Sequence, residues 1–201
     1  MTRDVDALVR SLFDAGAAEV RVVDFHRTGH NLLPERIDPR ARVLSGYRRG
    51  PVPGMGDPAG AEAALFVGMH AASGTPGFLA HTLTSRLARV EVNGRPLAEI
   101  ALFAASLAPF GVRPVFFSGC PAACAQAEAL IPGIRVFPLS KSGGPGALDA
   151  AAWRRGLAEA AALSLENRAV RPWDFQGPLR AMVTLRDGDA AARALAARWG
   201  I

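Results

Sequence analysis

Residues 114–139, PVFFSGCPAACAQAEALIPGIRVFPL, decide how this chain folds. Pro114–Ser118 is a continuous apolar run, the pattern of a strand buried on both faces. A helix is expected from Ala122 to Leu130, and it leads into a second apolar strand, Ile134–Leu139. Continuous apolar strands that alternate with helices imply an α/β fold with a mostly parallel sheet.

The same alternation extends in both directions. Upstream, Val5, Leu8, Val9, Leu12 and Phe13 repeat at helical spacing, so a helix is expected over Val5–Ala15 with Gly16 just past its end. Strands follow at residues 19–24 and 41–44, then a Pro/Gly-rich loop from Gly50 to Gly60, then a buried strand at Ala63–Val67. Gly54-x-Gly56 follows no strand, which argues against a nucleotide fingerprint. Asn93-Gly94 between two short extended arms signals a type I′ hairpin, and a helix over Ala98–Ala108 comes next. Downstream, Lys141–Gly146 is a glycine-rich connector before a long helix from Leu148 to Asn167; as a cradle for an anion it would make the chain a phosphate- or nucleotide-binding domain. After Arg171-Pro172 the texture changes to a lone strand, 179–185, and a short helix, 189–198. The expected architecture is three-layer, a mostly parallel sheet flanked by helices over residues 1–170, with a small C-terminal α+β appendage at 171–201.

Composition narrows the function classes. At 201 residues, 50% hydrophobic and 20% charged, the chain can bury a sizeable core. The net charge of +5 comes from scattered arginines, with Lys141 the sole lysine, and no basic stripe with interleaved aromatics marks a nucleic-acid surface. No apolar stretch reaches the roughly 18 residues that span a bilayer, and Asp4 and Asp6 sit where a signal peptide would be basic and apolar. The chain therefore reads as cytoplasmic, with no membrane or nucleic-acid partner. Cys120 and Cys124, four apart, read as two small buried thiols.

Chemistry concentrates in the histidines, of which the chain has 4. His26 lies just past the strand ending at Asp24, and His70 just past the strand ending at Val67. Active groups gather at the carboxyl ends of strands in open α/β sheets. Glu99 starts the helix after the hairpin. Two imidazoles and a carboxylate form the ligand set of many catalytic zinc sites, and zinc brings the pKa of its water towards ~7. His81, eleven residues past His70, would be a further ligand, a general base or a nucleophile. His30 has no strand-end position and reads as solvent-facing or supporting.

The segments Asp24-Phe25-His26…Asn31, Ser45-Gly46, Gly68-Met69-His70-Ala71, His81-Thr82, Asn93–Glu99 and Ala127–Pro132 together resemble the DppA-type D-aminopeptidases, over about residues 5 to 185. The resemblance implies a binuclear zinc hydrolase that releases N-terminal D-amino acids from short peptides within a ring-like homo-oligomer. It implies His26, His70 and Glu99 as zinc ligands and His81 as the catalytic group. Departures accompany it. Family members carry an early strand ending in Asp-x-Glu-Gly, whose carboxylates complete and bridge the metal pair; that tetrapeptide is absent here, and the family's Gly-Asp-Asp reads Gly119-Cys120-Pro121. The zinc count implied for these residues is therefore two, one or none. The alternative is a family member with a decayed metal site that serves as a binding or assembly module. A central strand missing from the sheet would leave two neighbours without hydrogen-bond partners, since strands pair at ~4.8 Å.

Overall fold

The computed structural model describes residues 1–199 apart from Phe25, Pro53, Ala59 and 141–147. The glycine-rich connector Lys141–Gly146 thus lies outside the described residues. Helix α1 (Thr2–Asp14) begins one turn before the periodic residues and buries Leu8, Val9 and Leu12. It ends where Gly16, at φ +90°, donates to the Phe13 carbonyl and Ala17 to that of Leu12, a glycine-terminated helix end.

The strands form three groups. β1 (Arg21–Asp24) pairs in parallel with β2 (Arg42–Ser45), in register from Arg21 with Arg42 to Asp24 with Ser45. β3 (Ala63–Met69), β6 (Arg113–Gly119) and β7 (Arg135–Pro138) form a second parallel sheet with β6 in the middle. Between β3 and β6 the chain makes the hairpin β4 (Leu87–Val92) and β5 (Arg95–Pro96), with Asn93 and Gly94 both at positive φ as a type I′ turn requires. Then comes α2 (Glu99–Leu107). Helix α3 (Pro121–Leu130) joins β6 to β7, and α4 (Ala150–Ser164) starts at Asp149, whose carboxylate accepts from the N–H groups of Ala151 and Ala152.

The strand expected to stand alone near the C-terminus has a partner: β8 (Ala181–Leu185) runs antiparallel to β4, from Leu87 with Leu185 to Val92 with Ala181. Helix α5 (Gly188–Trp199) follows and packs on β8. Sequence period alone could not give this pairing, because the two strands lie about ninety residues apart.

The parallel strands divide into two sheets, with no pairing between β1 and β3 among the described residues. Side-chain burial follows from it. In β6, flanked on both sides, every residue after Arg113 is buried. In β3, with one open edge, Leu65 and Val67 are only half-buried and Phe66 alone is fully covered. One core nevertheless runs through both sheets, joining Val20 and Val22 to Phe66, Phe116 and Leu157.

Polar contacts fix α1 at both faces. Ser11 Oγ donates to the Ala158 carbonyl at 2.5 Å and Arg154 pairs with Asp4 at 2.8 Å, tying α1 to α4. On the other side Asp38, 4% exposed, donates its N–H to Asp6 and binds Arg40 through both carboxylate oxygens. Arg40 also lies 4.4 Å over the Phe13 ring. Hydrogen bonds from the Arg40 guanidinium, then from its backbone N–H, hold the Asp38 carboxyl well below the usual carboxylate range. A depressed folded-state pKa contributes stability above the unfolded value, ~3.9, and that stability is lost as pH falls below it. Asp38→Asn is therefore expected to lower the melting temperature at pH 7, with the gap to wild type closing as melts are run from pH 5 down to pH 2. A gap that stays constant over that range would show that the charge of Asp38 is not what stabilises this corner.

Candidate active site

His26 follows β1 on a loop organised by Asp24. The Asp24 carboxylate, 5% exposed, accepts from the N–H groups of Asn31 at 2.6 Å and Leu32 at 2.8 Å, and from the Asn31 amide at 3.1 Å. Asn31 also reaches the His26 carbonyl with its side-chain amide. Burial alone would raise the Asp24 pKa, but these donors outweigh it and the net shift is downward. The imidazole of His26 itself is exposed, as is that of His30.

His70 and His81 are brought together by the loop between them. His81 donates its N–H to the Ala71 carbonyl at 3.0 Å, which folds residues 71–81 back on themselves. The rings end 4.8 Å apart at 43°. Each ring is held through Nδ1: His70 against the Phe78 carbonyl at 2.9 Å, His81 against that of Leu79 at 2.7 Å. A carbonyl oxygen only accepts, so Nδ1 carries a proton on both rings and Nε2 is the nitrogen these bonds leave free. That is the arrangement of a metal-ligating or proton-accepting imidazole.

A buried polar pair anchors this loop. Ser73 and Thr82, 1% and 0% exposed, exchange backbone-to-side-chain hydrogen bonds at 3.1 and 2.8 Å, and the Thr82 hydroxyl donates to the Leu97 carbonyl at 2.7 Å. Gln126 of α3 accepts from the Ala72 N–H and donates to Thr75. Glu99, half-buried at the start of α2, accepts from the Leu83 N–H at 2.9 Å. Leu79 and Leu83 both sit at positive φ, 49° and 62°, with exposed side chains. Left-handed backbone at non-glycine residues costs energy and clusters at functional loops. Ser73, Thr82 and Gln126 were invisible in the sequence as contributors; only the adjacency of Thr82 to His81 hinted at them.

The donor types suit zinc, but their placement does not complete a site. Among the described residues no three His, Cys, Asp or Glu side chains gather closely enough to hold a metal ion. His70 and His81 are paired; His26 and Glu99 do not join them in such a group. Other carboxylates are engaged elsewhere: Asp24 in its own loop, Asp4 with Arg154, Asp6 with Arg10. Cys120 and Cys124 are buried free thiols, and burial pushes Cys124 up to about 11. No described helix is long and apolar enough to cross a membrane.

The paired imidazoles thus sit past the carboxyl end of β3 in a parallel α/β sheet. The family model described as D-aminopeptidase matches residues 1–198, and the chain belongs to that family. It is 30% identical over 173 residues to a D-aminopeptidase of Bacillus subtilis (strain 168), a match covering 84% of this chain and 62% of that protein. The chain thus spans about three-fifths of the length of that curated relative. The solved structure of the Zn-dependent D-aminopeptidase DppA from Bacillus subtilis, described as a self-compartmentalizing protease, matches with a TM-score of 0.82 at 27% identity. That match covers 92% of this chain and 69% of DppA.

Proposed function

We propose that this chain is an amide hydrolase that releases N-terminal D-amino acids from short peptides, with His81 as general base or nucleophile. The observation that carries the proposal is the His70–His81 pair, with both Nδ1 atoms held by carbonyls and both Nε2 atoms available. As a base, Nε2 of His81 takes a proton from water while the water oxygen bonds to the amide carbon. The same proton then passes to the departing amine nitrogen as the C–N bond breaks. As a nucleophile, Nε2 bonds to the carbonyl carbon and the C–N bond breaks as the departing nitrogen takes a proton from water; the hydroxide so formed then adds to the acyl carbon, which releases the acid and restores Nε2.

DppA is Zn-dependent, and its description supports zinc, peptide substrates and a homo-oligomer for this chain as well. For a zinc-loaded form we propose His26, His70 and Glu99 as ligands. They are not gathered in this structure, so no step above passes through the ion, and its uptake requires rearrangement or donors from elsewhere. The test is the hydrolysis of D-alanyl and L-alanyl amides by the purified chain, before and after zinc addition, with metal analysis alongside. Preferential release of D-alanine supports the reading; no hydrolysis of either amide after zinc is added overturns it.

The absence of a three-donor group among the described residues favours a second reading, a non-catalytic family member acting as a binding or assembly module. It requires that His70→Ala and His81→Ala change nothing measurable and that a chelator leave the melting temperature unaltered.

A further inference from the structure

A cleft of about 410 Å³ opens at Phe78, the residue that stacks on His70, and is walled by Phe78, Cys120, Pro121, Ala122, Leu139 and Ser140, with Gly77 between them. It lies at the carboxyl ends of β6 and β7, the edge at which open α/β sheets bind ligands. Building on the hydrolase reading, we propose that this cleft receives the apolar side chain of the substrate residue next to the amide attacked at His81.

Phe78 links the cleft to the chemistry. Its ring forms one wall and stacks on His70 at 6.5 Å, while its carbonyl holds His70 Nδ1 at 2.9 Å. An occupant of the cleft therefore lies against the residue that orients His70. The opposite wall is fixed by the sheet, since Leu139 donates its N–H to the Gly119 carbonyl at 2.8 Å. Gly77 lets the loop press close: a Cβ there would stand 2.8 Å from the Ala71 Cβ and 3.5 Å from Cys120 Sγ. Among the described residues the lining is mostly apolar, through Phe78, Pro121, Ala122 and Leu139. An aliphatic or aromatic side chain buries apolar surface against these walls. Hydrophobic pockets discriminate by roughly 10- to 200-fold per methylene at most, so a preference of about tenfold or more for leucyl over glycyl substrates is the expected scale.

The test pairs binding with kinetics. D-Leucinol and ethanolamine, which carry no scissile amide, are titrated into the whole chain while the backbone amide signals of Gly77, Phe78 and Ala122 are followed by NMR. D-Leucinamide and glycinamide are assayed for hydrolysis in parallel. D-Leucinol is expected to shift those three signals and to bind at least tenfold tighter than ethanolamine. Ala122→Phe, which fills the cleft, and Leu139→Gln, which keeps its size but not its polarity, should each reduce that preference below threefold. Equal binding of the two amines, or shifts confined to other residues, overturns the proposal; so does a preference unchanged in both variants. Side-chain-selective binding without any hydrolysis leaves the cleft standing and removes the hydrolase reading. Hydrolysis with no side-chain preference does the reverse.

Discussion

Under the proposed function, His81→Ala is expected to lower kcat/KM for D-alanyl amides by about 10²–10⁴-fold while the protein stays folded, the range for removal of a positioned acid–base group. The separation of effects follows from how the loop is built. His81 contributes one side-chain bond, Nδ1 to the Leu79 carbonyl, from a half-buried position. The loop is held instead by the Ser73–Thr82 exchange, by the Thr82 hydroxyl on Leu97 and by the backbone bond from His81 N–H to Ala71. Truncating the ring leaves all of those in place, so a shift in stability of about 1 kcal/mol or less is expected. His30→Ala, at an exposed ring outside the pair, is the control and should leave kcat/KM unchanged. A loss below about fivefold in His81→Ala would remove His81 from the mechanism.

The second large effect is structural. Phe116→Ala is expected to destabilise the fold by about 3–5 kcal/mol, read as a drop in the denaturant midpoint. Phe116 is fully buried in β6, paired with Leu65 of β3 on one side and Arg135 of β7 on the other. Neighbours on two strands cannot close over the lost ring without shifting the ladders, so most of the cavity persists. Against a total stability of about 5–15 kcal/mol for a domain, such a loss is severe. Met182→Ala on β8, where the side chain is 52% exposed, should stay within about 0.5 kcal/mol. Similar losses at both positions would mean that β6 is not the centre of the core.

The sequence announces what is local and apolar. Residues 114–139 fold as a strand, a helix and a parallel strand, because a run such as Val115-Phe116-Phe117 has no stable place except between two neighbours. Asn93-Gly94 makes its hairpin because both residues tolerate the positive φ that the turn demands. Long-range pairing is what stays hidden. Nothing in Ala181–Leu185 says that β4 is its partner, and nothing in Ser73 says that Thr82 completes it. At the candidate site, His70 lies past the end of β3 as its sequence position implies, and the loop back through Ala71 brings His81 beside it. The same logic placed His26 at the end of a parallel strand, but β1 belongs to a separate sheet from β3, and strand-end position alone does not gather side chains across two sheets.

The docking of α1 on α4 also has a temporal meaning. The contacts that hold α1, from Ser11 to Ala158 and from Asp4 to Arg154, join residues about 150 positions apart. Loop-closure entropy must be met before such contacts reward the chain, and domains emerge from synthesis amino-terminus first. The β1–β2 sheet, which α1 leads into, is therefore expected to gain support through α1 only after residues 150–164 have been made. The N-terminal helix is thus expected to complete its packing only once α4 has formed.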